Sequence, residues 1–173
     1  ARRVVVAMGC DSGSFLRREG VAVSIKPVKG YSLTFGTEGL SNTPQIPVID
    51  DGMHAAVVPI GGRLRVAGTA EFTGFDTTIR QARVDNLFDL LRALYPSIAN
   101  QLQLEDGQAW AGLRPVSSDG LPYIGESGIR NLFVNSGHGH LGWSMAMGSA
   151  SLLTDLILGN KPAIDPTPYH VSR

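Results

Sequence analysis

Residues 112–148 read GLRPVSSDGLPYIGESGIRNLFVNSGHGHLGWSMAMG, and the reading of this stretch decides what fold the rest of the chain must build. The apolar run Leu132 to Asn135 predicts a strand, and the Ala-, Met- and Leu-rich run Trp143 to Leu158 predicts a helix. Between them Gly137-His138-Gly139-His140-Leu141-Gly142 has the GxGxxG spacing. After a strand and before a helix, such glycines let the main chain turn tightly and aim the amide groups of a helix start at a ligand. A complete dinucleotide fingerprint also needs a second strand that ends in an acidic residue for the ribose. Here the chain runs instead through Gly159-Asn160-Lys161-Pro162 to Arg173. The loop is therefore expected to touch another part of a large cofactor, the alternative being a plain helix-capping turn. Arg114 and the acidic turn Asp119-Gly120 lie upstream in the same stretch. An arginine beside such a loop predicts a pocket for an anionic substrate next to a bound cofactor.

Outward from this stretch, Val4 to Met8 is a short apolar run ending at Gly9, which predicts a buried parallel strand with a short helix, Ser12 to Arg18, behind it. Val21 to Phe35 reads as extended, interrupted by Pro27 and by Gly30, where the flexible main chain permits a bend. His54 to Pro59 and Arg63 to Ala70 flank Ile60-Gly61-Gly62 and predict a hairpin. From Thr77 to Tyr95 the apolar residues Ile79, Ala82, Val84, Leu87, Leu90, Leu91 and Leu94 recur near helical spacing, and Pro96 closes the run. Leu102 to Arg114 is extended again, and Pro115 to Gly128 is rich in turn formers. The two ends thus look α/β, while the middle looks like an antiparallel sheet carrying a helix. A chain that leaves an α/β layer, builds a second domain and returns produces this pattern and brings Gly9 close to Gly137.

Composition narrows the function classes. Fifteen basic residues balance fifteen acidic ones, so there is no electrostatic case for nucleic acid. One cysteine, Cys10, cannot form an internal disulfide, and no paired-cysteine metal signature is present. No apolar run reaches the length of a membrane span. The opening Ala1-Arg2-Arg3-Val4-Val5-Val6-Ala7 resembles neither a signal peptide nor an initiation region, so the chain is expected to be the interior of a longer polypeptide.

Taken in order, Val4 to Gly9, Pro27 to Leu33, Gly61 to Leu64, Gly112 to Pro115, Asp119 to Gly125 and Gly137 to Gly148 resemble the carboxyl-terminal portion of the flavin-dependent D-amino-acid oxidoreductases. This group contains D-amino-acid dehydrogenase, D-amino-acid oxidase, glycine oxidase and sarcosine oxidase, and the likeness is greatest to the bacterial dehydrogenase. The resemblance implies a mixed α+β and α/β fold, in which an antiparallel-sheet substrate domain is inserted between pieces of an incomplete FAD-binding α/β domain. Residues 1–20 would be a piece of the FAD-binding domain, 21–112 the substrate-binding domain, and 113–173 the return to the FAD-binding domain. It also implies oxidative deamination of D-amino acids to 2-oxo acids and ammonia, with electrons passed to a quinone or respiratory carrier. The alternatives are a glycine- or sarcosine-type oxidase that uses oxygen, or a non-catalytic subunit or fragment. Further expectations are a partner region or subunit that supplies the amino-terminal FAD fold, weak or absent FAD binding by this chain alone, and possible self-association. The expected location is cytoplasmic, or peripheral to the cytoplasmic face of the bacterial inner membrane.

Carried over residue by residue, the resemblance gives Arg114 the substrate carboxylate, which a rigid guanidinium grips with two parallel hydrogen bonds, with a structural ion pair as the alternative. Tyr31 matches a position facing the active-site region and is the second catalytic candidate, with a half-buried core phenol as the alternative. Gly9, Gly137, His138, Gly139, His140, Leu141 and Gly142 are the cofactor-contact candidates. Two histidines without cysteines or an acidic ligand make no metal site, and neither is expected to act as a base. Asp119 is read as a turn former, Lys29 as a solvated or cofactor-facing charge, Trp110 as core, and Met145 and Met147 as helix packing.

Overall fold

The computed structural model describes all 173 residues. In chain order the elements are β1 (Val4–Val6), α1 (Asp11–Arg18), β2 (Ile25–Gly36), β3 (Val48–Asp50), β4 (Ala55–Ile60) and β5 (Arg63–Glu71). They continue with α2 (Gln81–Leu94), α3 (Pro96–Ala99), β6 (Gln108–Ser117), β7 (Tyr123–Glu126), β8 (Leu132–Ser136) and α4 (Gly142–Leu158). The chain divides into two compact units, residues 1–28 with 114–173 and residues 29–113.

In the first unit β1 finds its partner far along the chain. It lies parallel to β8, with Val4 opposite Leu132, Val5 opposite Phe133 and Val6 opposite Val134. On the far side β7 pairs with β8 antiparallel, Tyr123 opposite Ser136 and Ile124 opposite Asn135. Successive strand residues point to opposite faces, and both faces are covered along β7 and β8. The strand β1, expected to be buried, is buried only at Val6 and leaves Val4 and Val5 exposed. Val134, Val6 and Tyr123 pack with Leu16 of α1 and with Val21, Val23 and Ile25, while Phe133 and Ile124 pack with Leu152 and Leu153 of α4. Residues 21–28, grouped by their extended character with the middle of the chain, thus fold with the first unit, because Val21, Val23 and Ile25 bury against β1 and β8. The strand β7 was hidden among turn signals. Its four residues lie between Pro122 and Gly128, and pairing with β8 rather than local propensity makes them a strand.

The second unit carries the antiparallel sheet, in the order β3-β4-β5-β2-β6. Ile60 pairs with Arg63, and the two-residue turn between them is Gly61-Gly62, with φ +52° and +70°. Both residues need the left-handed region in this type of hairpin turn, so two glycines suit it. α2 lays Val84, Leu87, Phe88 and Leu91 on Tyr31, Leu33, Phe35, Val57, Leu64 and Val66 of the sheet, with the Phe35 and Phe88 rings 5.7 Å apart. The helix begins at Gln81 rather than Thr77. The Asp76 carboxylate accepts the Thr78 N–H at 2.8 Å, and this side-chain turn competes with helix for the residues just after it. Pro96 does not merely end the helical run. It opens the four-residue α3, where its missing N–H is not needed. The bend expected at Gly30 is a bulge: between the pairs Lys29 with Glu71 and Tyr31 with Gly68, Gly30 faces two residues of β5. One of them, Thr69, has φ +67°.

Candidate functional site

In the first unit the glycine loop is held from three directions. The Ser136 hydroxyl donates to the Gly9 carbonyl at 3.1 Å, which joins the end of β8 to the turn after β1. The Gly139 N–H donates to the Pro115 carbonyl at 2.8 Å, and Val116 bridges His138, which ties the loop to the end of β6. The His138 Nε2 meets the Ser149 hydroxyl of α4 at 2.9 Å. Gly9, Gly137 and Gly139 have φ values of +57°, +88° and +58°, where a side chain is strained. At Gly137 there is little room as well, since a Cβ would come within 3.3 Å of Tyr123. These glycines therefore answer to main-chain geometry, as their spacing predicts.

The loop leads into a helix start that no side chain caps. Leu141 holds the cap position of α4 without a side-chain hydrogen bond, so the first amides of the helix are free of side-chain acceptors, and they carry the positive end of the helix dipole. Exposed apolar surface surrounds them, with Leu141 49% and Trp143 95% exposed. Two polar atoms beside the loop, Ser117 Oγ and Asn135 Oδ1, are buried without a hydrogen-bond partner. Burial lowers the pKa of His138, which keeps its imidazole neutral, while His140 is exposed. Cys10 follows Gly9, and burial, with the Asp11 charge, pushes its thiol up, so it is not an activated nucleophile.

Arg114 is half-buried in β6, and burial lowers its pKa from the usual arginine value, although a guanidinium stays charged. It immediately precedes Pro115, whose carbonyl holds the Gly139 N–H. The structure therefore brings Arg114, the glycine loop and Gly9 into one unit. Asp119 is a turn former, as expected, accepting the Leu121 N–H at 3.1 Å. It also pairs with Arg173 at 2.6 Å, and these bonds, Arg173 foremost, hold its carboxyl well below the usual range. A cleft of about 460 Å³ in the same unit, lined by Arg17, Val21, Val23, Lys26, Tyr123 and Arg173, contains none of the expected site residues.

Tyr31 belongs to the second unit, where it is buried and donates its hydroxyl to Glu71 Oε2 at 2.7 Å. Lys29, read from sequence as solvated or cofactor-facing, is wholly buried. Its ammonium donates to Asp76 Oδ2 at 3.1 Å and to the Thr78 carbonyl at 3.0 Å, and lies 3.5 Å from Glu71. Arg83 Nε closes the cluster on Glu71 Oε1 at 2.7 Å. Hydrogen bonds from Tyr31 and Arg83 pull the Glu71 carboxyl down to about 2 against the effect of burial. Burial works against the charged Lys29, yet Asp76 and Tyr31 outweigh it and raise its pKa. A lone charge in a strand gives no sign of such partners, because Glu71 and Asp76 lie more than forty residues away in sequence. Ser136 and Ser149 were likewise missed, since nothing local marks a serine that holds a remote loop.

A strand, a glycine turn and a helix start without a side-chain cap, with Arg114 in the same unit, form a small α/β layer. Residues 1–156 match the family described as FAD dependent oxidoreductase, and the chain belongs to this family. It is 43% identical over 163 residues to D-amino acid dehydrogenase 2 of Mesorhizobium japonicum, covering 94% of this chain and 38% of that protein. An uncharacterized oxidoreductase from the pyp 5′ region of Halorhodospira halophila is 40% identical over 173 residues, which is 100% of this chain and 79% of that one. Among solved structures, glycine oxidase from Geobacillus kaustophilus superposes with a TM-score of 0.86 at 30% identity, over 100% of this chain and 46% of the oxidase. The chain thus spans less than half the length of the dehydrogenase and of the oxidase. The fold is a mixed one, with an antiparallel sheet and its packed helices in one unit and part of an FAD-binding α/β layer in the other. No helix is long and apolar enough to cross a membrane.

Proposed function

We propose that this chain supplies the substrate-carboxylate arginine and the flavin-facing loop of an FAD-dependent D-amino-acid dehydrogenase. The remaining length seen in the relatives, as preceding chain or partner subunit, would hold the rest of the FAD. The observation that carries the reading is the Gly139 N–H on the Pro115 carbonyl at 2.8 Å, because it ties the glycine loop to the residue after Arg114. A dehydrogenase is favoured over other members by the 43% identity to the Mesorhizobium japonicum protein. In this reading residues 1–28 and 114–173 belong to the flavin-holding part, and residues 29–113 to the substrate-binding part. Electrons leave to a quinone or another carrier, and the protein acts at, or soluble near, the cytoplasmic face of the inner membrane.

The residues present fit the cofactor. Gly9 and Gly139 leave main chain open to a close approach, Gly137 makes the turn between them and the strand, and the α4 start offers uncapped amides beside the exposed Leu141. When bound, FAD supplies the hydride acceptor. His138, His140, Leu141 and Gly142 would border it with the glycines, and their amide groups favour added negative charge. Arg114 fixes the substrate through its carboxylate, so that the carbon bearing the amine is presented in one orientation. The substrate amine is neutral when its α-hydrogen leaves as hydride, and the nitrogen lone pair forms the imine, which water then hydrolyses to the 2-oxo acid and ammonia. No side chain has to remove a proton from carbon. Tyr31 belongs to the substrate-binding part, with its phenol oriented by Glu71.

The test is anaerobic mixing of the full-length holoenzyme with a panel of D-amino acids, read as loss of flavin absorbance. D-amino acids should reduce the flavin, and a quinone should reoxidise it faster than oxygen does. The Geobacillus kaustophilus oxidase structure favours a second reading, a glycine- or sarcosine-type oxidase. Reduction by glycine or sarcosine alone, with fast reoxidation by oxygen, would replace the first reading with the second.

A further inference from the structure

The sequence offers His138 as a cofactor contact, and in the structure its ring bonds Ser149 of α4. The imidazole runs along α4 to Ser149, Nε2 to Oγ at 2.9 Å. Gly142 lies on its path, since a Cβ there would come within 3.4 Å of the His138 Cβ. Gly142 and Ser149 are seven residues apart, two helical turns, and so share one face of the helix. A glycine followed by a serine at that distance leaves a track along which a histidine from the preceding loop can lie. Ser149 is buried, and in a helix its hydroxyl would ordinarily return to its own main chain. Here it meets the imidazole instead.

We propose that His138, through Ser149, is a positioning residue. The pair is a latch that fixes the peptide groups of residues 138–142, and hence the amides at the start of α4, in the orientation that receives the ligand. The inference rests on the flavin-facing reading of this loop, and deepens it. The ring of His138 then neither touches the cofactor nor moves a proton; its main chain does the contacting. The loop's other two ties, from Ser136 to Gly9 and from Gly139 to Pro115, hold its ends near β1 and β6. The latch is the one of the three that bonds the loop to the helix whose start it presents.

Hydrogen exchange read by mass spectrometry on the protein, without and with added FAD, tests the latch directly. In Ser149→Ala, the hydrogen-bonded amides of Gly139 and Leu141 should exchange about tenfold faster, the size expected for one hydrogen bond between partly buried neutral groups. Exchange in β1 and β8 should be unchanged, and Ser149→Thr, which keeps the hydroxyl, should restore the wild-type rate. His138→Phe fills the same space without the bond and should behave like the alanine variant. His138→Gln keeps a polar nitrogen at similar reach and should stay within about twofold of wild type. In the full-length holoenzyme the same two disrupting variants should weaken FAD binding about tenfold. Unchanged loop exchange in Ser149→Ala and His138→Phe would overturn the latch. So would faster exchange spread evenly over α4 and β8, which would make the pair ordinary core packing. If loop exchange responds as expected but no amino acid reduces the flavin, the latch stands and the proposed activity falls.

Discussion

Arg114 and Glu71 show two different uses of charge. Arg114 sits half-buried beside the loop, and the proposed role makes Arg114→Leu a sharp test. Flavin content in the full-length enzyme should be kept, while kcat/KM for carboxylated substrates falls by roughly 2–4 kcal/mol in transition-state terms, the general cost of removing one partner of a buried charged pair. An unchanged kcat/KM would remove the carboxylate role. Glu71 is bound up in a buried cluster, and its carboxyl titrates near 2 in the folded chain against an ordinary value of 4.5. A depressed carboxylate contributes stability that is full above its unfolded pKa and is lost as pH falls through the folded one. The melting temperature should therefore drop as pH is lowered from 4.5 toward about 2, and Glu71→Gln should lower it at neutral pH but flatten that acid slope. Thermal melts at a series of pH values measure both. Residue type and the family resemblance make Arg114 the carboxylate candidate, and the structure adds that it is half-buried in the same unit as the loop. Residue type misread Lys29, because the carboxylates that let an ammonium be buried arrive from β5 and the loop after it.

At the scale of elements, the local patterns with strong steric causes were read correctly. The hairpin over Gly61-Gly62 and the strand and helix around the glycine loop are there at nearly the expected bounds. Gly139 makes the steric cause testable. A Cβ there would meet only Val116, at 3.9 Å, so Gly139→Ala costs backbone strain at φ +58° and little else. It should destabilise the protein by about 1–2 kcal/mol in urea unfolding. α2 is held by packing instead. Leu91 is completely buried between the helix and the sheet, and Leu91→Ala should cost about 2–5 kcal/mol in the same assay. β3, β7 and α3 escaped the sequence reading because each has only three or four residues. So short an element has no period of its own to show, and forms only because a neighbour pairs with it or packs on it.

On the scale of the whole molecule, the chain holds one α/β layer and one antiparallel sheet with its helix, each with its own core. In the first unit, Val4, Val5, Met8, Leu141, Trp143 and Met147 remain exposed. The relatives that carry dehydrogenase and oxidase names are more than twice as long as this match. In the proposed reading these 173 residues alone should bind FAD weakly, because Gly9 and the 137–142 loop border one part of the cofactor and the further length of the relatives holds the rest. The exposed apolar side chains should also make the isolated chain self-associate. Calorimetric titration with FAD, paired with light scattering, measures both. Stoichiometric binding tighter than about 1 μM would mean that the loop at 137–142 carries a larger share of the cofactor than its shape suggests.

The amino-acid sequence by itself determined the elements whose cause is local. Glycines stand where the main chain needs the left-handed region, an apolar period makes α2, and the ordered motifs mark the family. It also located the candidate site, because the glycine loop and Arg114 lie within one short stretch of chain. Only the tertiary structure decided which partners the polar side chains take. His138 turns to Ser149, Tyr31 gives its hydroxyl to Glu71, and Lys29 is buried, since a polar side chain's role depends on the partner it meets in space. Val4 to Val6 and Leu132 to Val134 lie more than 120 residues apart in the chain, and each reads alike as a short apolar run. Their parallel pairing exists only once the chain between them has folded and returned, because the hydrogen bonds of a sheet join strands regardless of their distance in sequence.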